Sequence, residues 1–167
     1  MAVVTKYGTG ARDPSSLKAI DGINAAAEVR KIRSLIVITN GDSATSKYMI
    51  GEAPADAIID AGNSVITFDA LTSVTDADIG VAYPNGGAMI VADCIVNGHD
   101  IHLAGSTTLA AATGSGVATA ANKAKRLWEL AGLTSNPGGN LALWLTLNAG
   151  ATAGGNVHCK IEYDKGA

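Results

Sequence analysis

Three features of this sequence predict a mainly β fold: a β-sandwich or jelly-roll-like domain of about 7–9 short strands with one short helix and an extended N-terminal arm. Apolar residues recur with period 2 in short runs, turn residues (Gly, Pro, Asn, Asp) punctuate those runs, and only one stretch carries helical periodicity. The alternation is clearest from Asn140 to Asp164. Leu141, Leu143, Leu145 and Leu147 alternate with Ala142, Trp144, Thr146 and Asn148; Val157, Cys159, Ile161 and Tyr163 alternate with His158, Lys160 and Glu162. Two such runs around a Gly-rich connection read as a terminal β-hairpin over 140–164, with a leucine face turned to the core. A lone hairpin is marginal in water, so earlier strands must supply its sheet and a facing layer.

The 167 residues suit one domain, 34–167, preceded by an arm, 1–33. Charged residues are only 16 % of the chain, below the roughly 25 % usual for soluble domains, and small residues dominate. That composition suits a surface buried against partners. The net charge of −3 is unevenly spread. The arm holds Lys6, Arg12, Lys18, Arg30, Lys31 and Arg33 against Asp13, Asp21 and Glu28, whereas the remainder is acidic. A mildly basic arm suits an acidic protein surface better than nucleic acid, which favours dense Lys/Arg patches with aromatic platforms. Cys94 and Cys159 lie in apolar runs and are expected as buried, reduced thiols. Thr5, Lys6 and Tyr7 stand where a signal peptide needs an apolar core, and no run approaches membrane-spanning length. The expectation is synthesis and retention in a cytoplasm, unless the protein leaves in a particle.

In chain order, Gly8, Gly10, Asp13-Pro14 and Asp21-Gly22 break the first segment into an extended arm, with a short helical piece expected over Ala25 to Ile32, and such an arm can order only by lying on something. Leu35-Ile36-Val37-Ile38-Thr39 is a β-branched run, followed by the Asn40-Gly41-Asp42 turn and a run through Tyr48, Met49 and Ile50. Pro54 interrupts pairing. Ala57 to Ile59, Val65 to Phe68 and Ala77 to Tyr83 follow, the last closed by Pro84-Asn85-Gly86-Gly87. Met89 to Val96 is nearly continuous apolar sequence, and Asp100 to Ala104 is expected as a short extended piece. Residues 105–118, low in complexity, are expected as a mobile surface loop. A helix over 120–131 follows from the stripe Ala120, Ala124, Leu127 and Ala131, with Thr119 as N-cap, Gly132 at C′ and a Lys125–Glu129 pair.

No catalytic or metal signature emerges. His99 and His102, three apart, would point to opposite faces of a strand, and His158 beside Cys159 completes no ligand spacing. Asp76 and Asp78 share a face but lack a Ca²⁺ loop around them. There is no G-x-S-x-G elbow, and the glycine clusters lack phosphate-cradle spacing. No cofactor is expected. Trp144, opposite the leucines, reads either as an interface anchor or as buried beneath the 120–131 helix. With His158 and Lys160 it forms the candidate oligomer interface.

The segments MAVVTKYGTGARDPSS, NGDSATSKYMIGEAPADAIID, DIGVAYPNGG and GATAGGNVHCKIEYD resemble the small virion structural proteins of tailed bacteriophages that decorate or cement the capsid. The resemblance covers most of the chain and rests on turn-and-strand patterns; 105–118 and 120–131 match it less well. It implies an arm before a β-sandwich, no enzymatic activity, and a homo-oligomer bound to the major capsid protein on the outer surface of the virion; a trimer formed through the sandwich faces is expected in preference to a dimer. Capsid-contact candidates are then Lys6, Tyr7, Arg12, Lys18, Arg30, Lys31 and Arg33. The competing reading is a receptor- or carbohydrate-binding sandwich of a tail or fibre, which calls for exposed aromatics in a groove. Neither reading involves nucleic acid or membrane.

Overall fold

Leu141, Leu143, Leu145 and Leu147 are all essentially sealed from solvent, and the strand that carries them lies inside a sheet, not at its edge. The computed structural model describes Val3, the backbone of Thr5–Tyr7, and residues 30–164. The strands are β1 (Thr5–Tyr7), β2 (Arg30–Ile38), β3 (Lys47–Pro54), β4 (Ile58–Phe68), β5 (Ala77–Ala82), β6 (Met89–His99), β7 (Gly105–Thr108), β8 (Asn140–Leu147) and β9 (Gly155–Asp164), with one helical turn, α1 (Leu127–Leu130). They form a five-stranded sheet, β1-β3-β8-β5-β6, and a four-stranded sheet, β2-β9-β4-β7. Among the described residues every pairing is antiparallel except β1 with β3. The β-sandwich expected from period-2 patterning is therefore present, with a core between the layers. The β8 leucines, Ile79 and Val81 line one wall; Ile36, Ile66, Val157, Cys159 and Ile161 line the other.

The terminal hairpin is not. β8 and β9 are both strands, but β8 pairs with β3 and β5, whereas β9 pairs with β2 and β4. The connection between them is an arch from one sheet to the other. Alternation cannot distinguish the two cases, because an apolar face is buried equally by a neighbour's side or by a facing layer. The turn at Asn40-Gly41-Asp42 makes a second arch, from β2 to β3, and the two are laced together: Gly41 N–H donates to Ala151 O and Ala151 N–H to Asp42 O, both at 2.9 Å. Inside this corner the Tyr48 hydroxyl donates to Asp42 Oδ2 at 2.6 Å, and both residues are buried.

Residues 105–118 are not a surface loop. They begin as β7, paired with β4, and continue by burying Leu109, Ala112 and Val117. The segment closes on β6 through Asn97 N–H to Gly114 O and Gly116 N–H to Ile95 O. Gly114 has φ +64°, and a Cβ there would lie 1.9 Å from Asn97 O, so the approach requires glycine. The expected extended piece 100–104 carries no strand; the pairing starts at Gly105.

The helix over 120–131 shrinks to α1. Ala120 and Ala124 are exposed and bury nothing, and so short a helix has no stability of its own in water. Arg126 is extended (φ −71°, ψ 158°), and the first helical amides, Leu127 and Trp128, donate to Ala57 O and Ala55 O. Thr119 does not cap; its hydroxyl donates to Gly116 O. Glu129 turns back to accept from Arg126 N–H at 2.7 Å, and Gly132 takes the left-handed C′ conformation as expected (φ +71°). Cys159 is buried and Cys94 half-buried, both as free thiols. No helix among the described residues is long and apolar enough to cross a membrane.

Candidate functional site

Strand parity divides the four-stranded sheet cleanly. Ile32, Ile36, Ile38, Val157, Cys159 and Ile161 point inward, which sends Lys31, Arg33, Leu35 and Val37 of β2 outward beside His158, Lys160 and Glu162 of β9. Val65 and Thr67 of β4 complete this outer face. Register then sets the neighbours. Lys31 stands opposite Glu162, Arg33 opposite Lys160, and Leu35 opposite His158; on the other side Val65 is level with Lys160 and Thr67 with His158.

The charges on this face are unequal. Lys31 Nζ and Lys160 Nζ both lie 3.1 Å from the same oxygen, Glu162 Oε1. Hydrogen bonds from Lys31 first, then Lys160, hold the Glu162 carboxyl below its usual range. Arg33 has no ion-pair partner among the described residues, and it faces Lys160, a like charge. Beside it opens a shallow concavity of about 530 Å³ lined by Arg33, Leu35, Val65, Thr67, His158 and Lys160. Val37, further along β2, is 55 % exposed.

The sandwich thus joins two sets of residues that sequence reasoning kept apart. Lys31 and Arg33, expected on the arm, lie in β2 next to His158 and Lys160, expected at an oligomer interface; Arg30 is the first residue of the same strand. The sheet therefore begins within the segment assigned to the arm, because Ile32, buried against the core, anchors it, so Arg30 to Ile32 are strand and not the end of a helical piece; the rest of that expected piece lies outside the described residues. Lys6 and Tyr7 belong to β1, and Arg12 and Lys18 lie outside the described residues. Trp144 does not join His158 and Lys160. It sits on the outer face of the other sheet, 3 % exposed, packed with Met49, Ala82, Ala142 and Met89. It is thus covered within the chain, though not by α1, and offers no free surface to a second subunit.

Leu35, Val37, Val65 and Thr67 were not singled out from the sequence. A signal existed: Leu35-Ile36-Val37-Ile38 is apolar at both parities, which leaves aliphatic side chains on whichever face is outermost. The other polar groups considered are structural. Asn148 Nδ2 donates to Asp76 Oδ1 at 2.8 Å and to Asp78 Oδ2 at 2.6 Å, and Gly98 N–H donates to Asp78 Oδ1 at 2.7 Å. His99 Nδ1 accepts from Thr113 N–H, and His102 contacts Asp100. No group of three metal-ligating side chains occurs among the described residues.

No protein-family model matches the sequence, and no curated protein matches it. Solved structures do. A chain in the capsid of Ralstonia phage GP4 superimposes with a TM-score of 0.67, covering 99 % of this chain and 99 % of that one at 16 % identity. This chain shares the fold of that capsid chain. A chain of the cyanophage Pam1 capsid asymmetric unit shares it with a TM-score of 0.50, over 92 % of this chain and 96 % of its own, again at 16 % identity. Both coverages are nearly end to end, so the likeness of fold extends over the whole sandwich and not over one shared motif. It agrees with the resemblance carried by the turn-and-strand segments of the sequence.

Proposed function

We propose that this protein is a non-enzymatic head decoration, or cement, subunit of a bacteriophage, bound as a homo-oligomer to the major capsid protein on the outer surface of the virion. The observation that carries this reading is the two-way, 99 % coverage match to a chain of the GP4 capsid. A bound protein stabilises whichever lattice state it prefers by mass action. An oligomer multiplies weak contacts, provided that its sites match the lattice spacing. In this reading the segment between β1 and β2, with Arg12 and Lys18, reaches across neighbouring capsomers, and the homo-oligomer is a trimer in preference to a dimer.

The carbohydrate-binding alternative loses support, since the concavity has no Trp, Tyr or Phe in its lining. Cryo-electron microscopy of the particle encoding this chain tests the proposal: density for the sandwich on the outer shell is expected. Its presence only on tail fibres would replace this reading with receptor binding. Charge reversal at Arg12 and Lys18 in the full-length chain tests the arm, and unchanged capsid affinity would remove it from the contact.

A further inference from the structure

The outer face of β2, β9 and β4 carries more than a basic patch. Of its cations, Lys31 and Lys160 converge on one carboxylate oxygen, which leaves Arg33 as a guanidinium with no ion-pair partner among the described residues. Arg33 is held directly across from Lys160, an arrangement that costs stability in an antiparallel pair and is relieved when an anion sits between the two. Guanidinium geometry matches a carboxylate in a bidentate fork. The adjoining concavity is walled by Leu35 and Val65, and Val37 extends the same aliphatic stripe along β2. Thr67 and His158 supply polar atoms at its far side. Charge and shape together specify an occupant with a carboxylate beside aliphatic side chains. A phosphate polymer fits less well, since it would meet a largely aliphatic wall and no aromatic platform.

We infer that this face is a docking site for an acidic, aliphatic-rich segment of a partner protein, with Arg33 and Lys160 gripping a carboxylate and Leu35, Val37 and Val65 receiving its apolar neighbours. Within the proposed decoration function, on which the identity of that partner rests, the docking surface is the four-stranded sheet and not the arm alone.

The test has two arms, both on the full-length chain. In the first, the ¹⁵N-labelled protein is titrated by NMR with the peptide acetyl-Leu-Glu-Val-Asp-Leu-amide and with its Gln/Asn analogue. Shifts confined to β2, β9 and β4 with the acidic peptide only, weakened about tenfold or more in Arg33→Ala, are expected. Equal response to both peptides, no response at 10 mM (roughly 10,000 times the Kd of a micromolar site), or displacement of the peptide by a short single-stranded oligonucleotide that binds more tightly would overturn the inference. In the second, wild type and Arg33→Glu are bound to capsids assembled without this protein. Wild-type binding with Arg33→Glu undiminished sinks the docking face while leaving the decoration reading intact. Absence of wild-type binding sinks the decoration reading, and the peptide arm alone then decides the face.

Discussion

Arg33 and Lys160 face one another across the β2–β9 ladder, two cations in register on adjacent strands. Like charges so placed destabilise a sheet by about 0.2–1 kcal/mol. Replacing Arg33 by threonine, a good strand residue without charge, is expected to raise the melting temperature by about 1–3 °C in a chain of this size. Differential scanning calorimetry checks this, and a lowered melting temperature would mean that Arg33 is engaged within its own chain.

A second expectation concerns the corner where the two arches meet. Tyr48 gives its hydroxyl hydrogen to Asp42 at 2.6 Å in a buried site, so Tyr48→Phe withdraws a charge-assisted bond while preserving shape. The cost is expected near 1.5–3 kcal/mol by urea unfolding. The pair also predicts alkaline sensitivity. Burial first, and Asp42 second, push the Tyr48 phenol well above its ordinary 10.0, so its contribution is fully present below pH about 10 and declines above it. Tyr48→Phe should flatten the alkaline fall in part; an identical profile would show that the phenol is not buried.

The low-complexity segment after β7 is expected to behave as core. Leu109 is fully buried, and Leu109→Ala should destabilise by about 2–5 kcal/mol, as a truncation in a central strand would. Gly114→Ala places a methyl group onto Asn97 O in a left-handed backbone and should cost more than about 1 kcal/mol. Denaturant midpoints within error of wild type for both variants would return the segment to the surface.

In acid the relevant group is His99. Burial lowers its imidazole below the ordinary 6.5, with Asp100 opposing, while its ring lies edge-on to Phe68. The unfolded chain then takes up this proton more readily than the folded one. Stability is fully present above pH about 6.5 and falls as the pH drops toward the folded value. Glu162, whose carboxyl is held low by Lys31 and Lys160, adds a further loss below pH about 4.5. His99→Gln should remove much of the decline between pH 6.5 and 5, and an unaltered slope there would assign the decline to other groups.

Period-2 alternation was enough to find β5, β8 and β9 and to turn the leucines of β8 inward; β2 and β3 were legible as apolar runs around a turn, and the near-continuous apolar run of β6 left its type open. It could not say which strands are hydrogen-bonded, since arch and hairpin bury the same residues, and so β8 and β9 were joined and Trp144 was set beside His158. Propensity overestimated the helix because Ala120 and Ala124 offer little surface to bury, and composition hid Leu109 and Val117 among Ala, Gly, Ser and Thr. The interaction face was half legible. Its charges were visible as Lys31, Arg33, His158 and Lys160, but their union depends on a pairing between strands more than a hundred residues apart.

Cosedimentation of the purified full-length protein with expanded capsids assembled without it tests the decoration assignment most directly. Saturable binding at a fixed ratio to the capsid subunits, tighter on expanded than on unexpanded shells, is the predicted result. Protein that stays in the supernatant with both kinds of shell would contradict it.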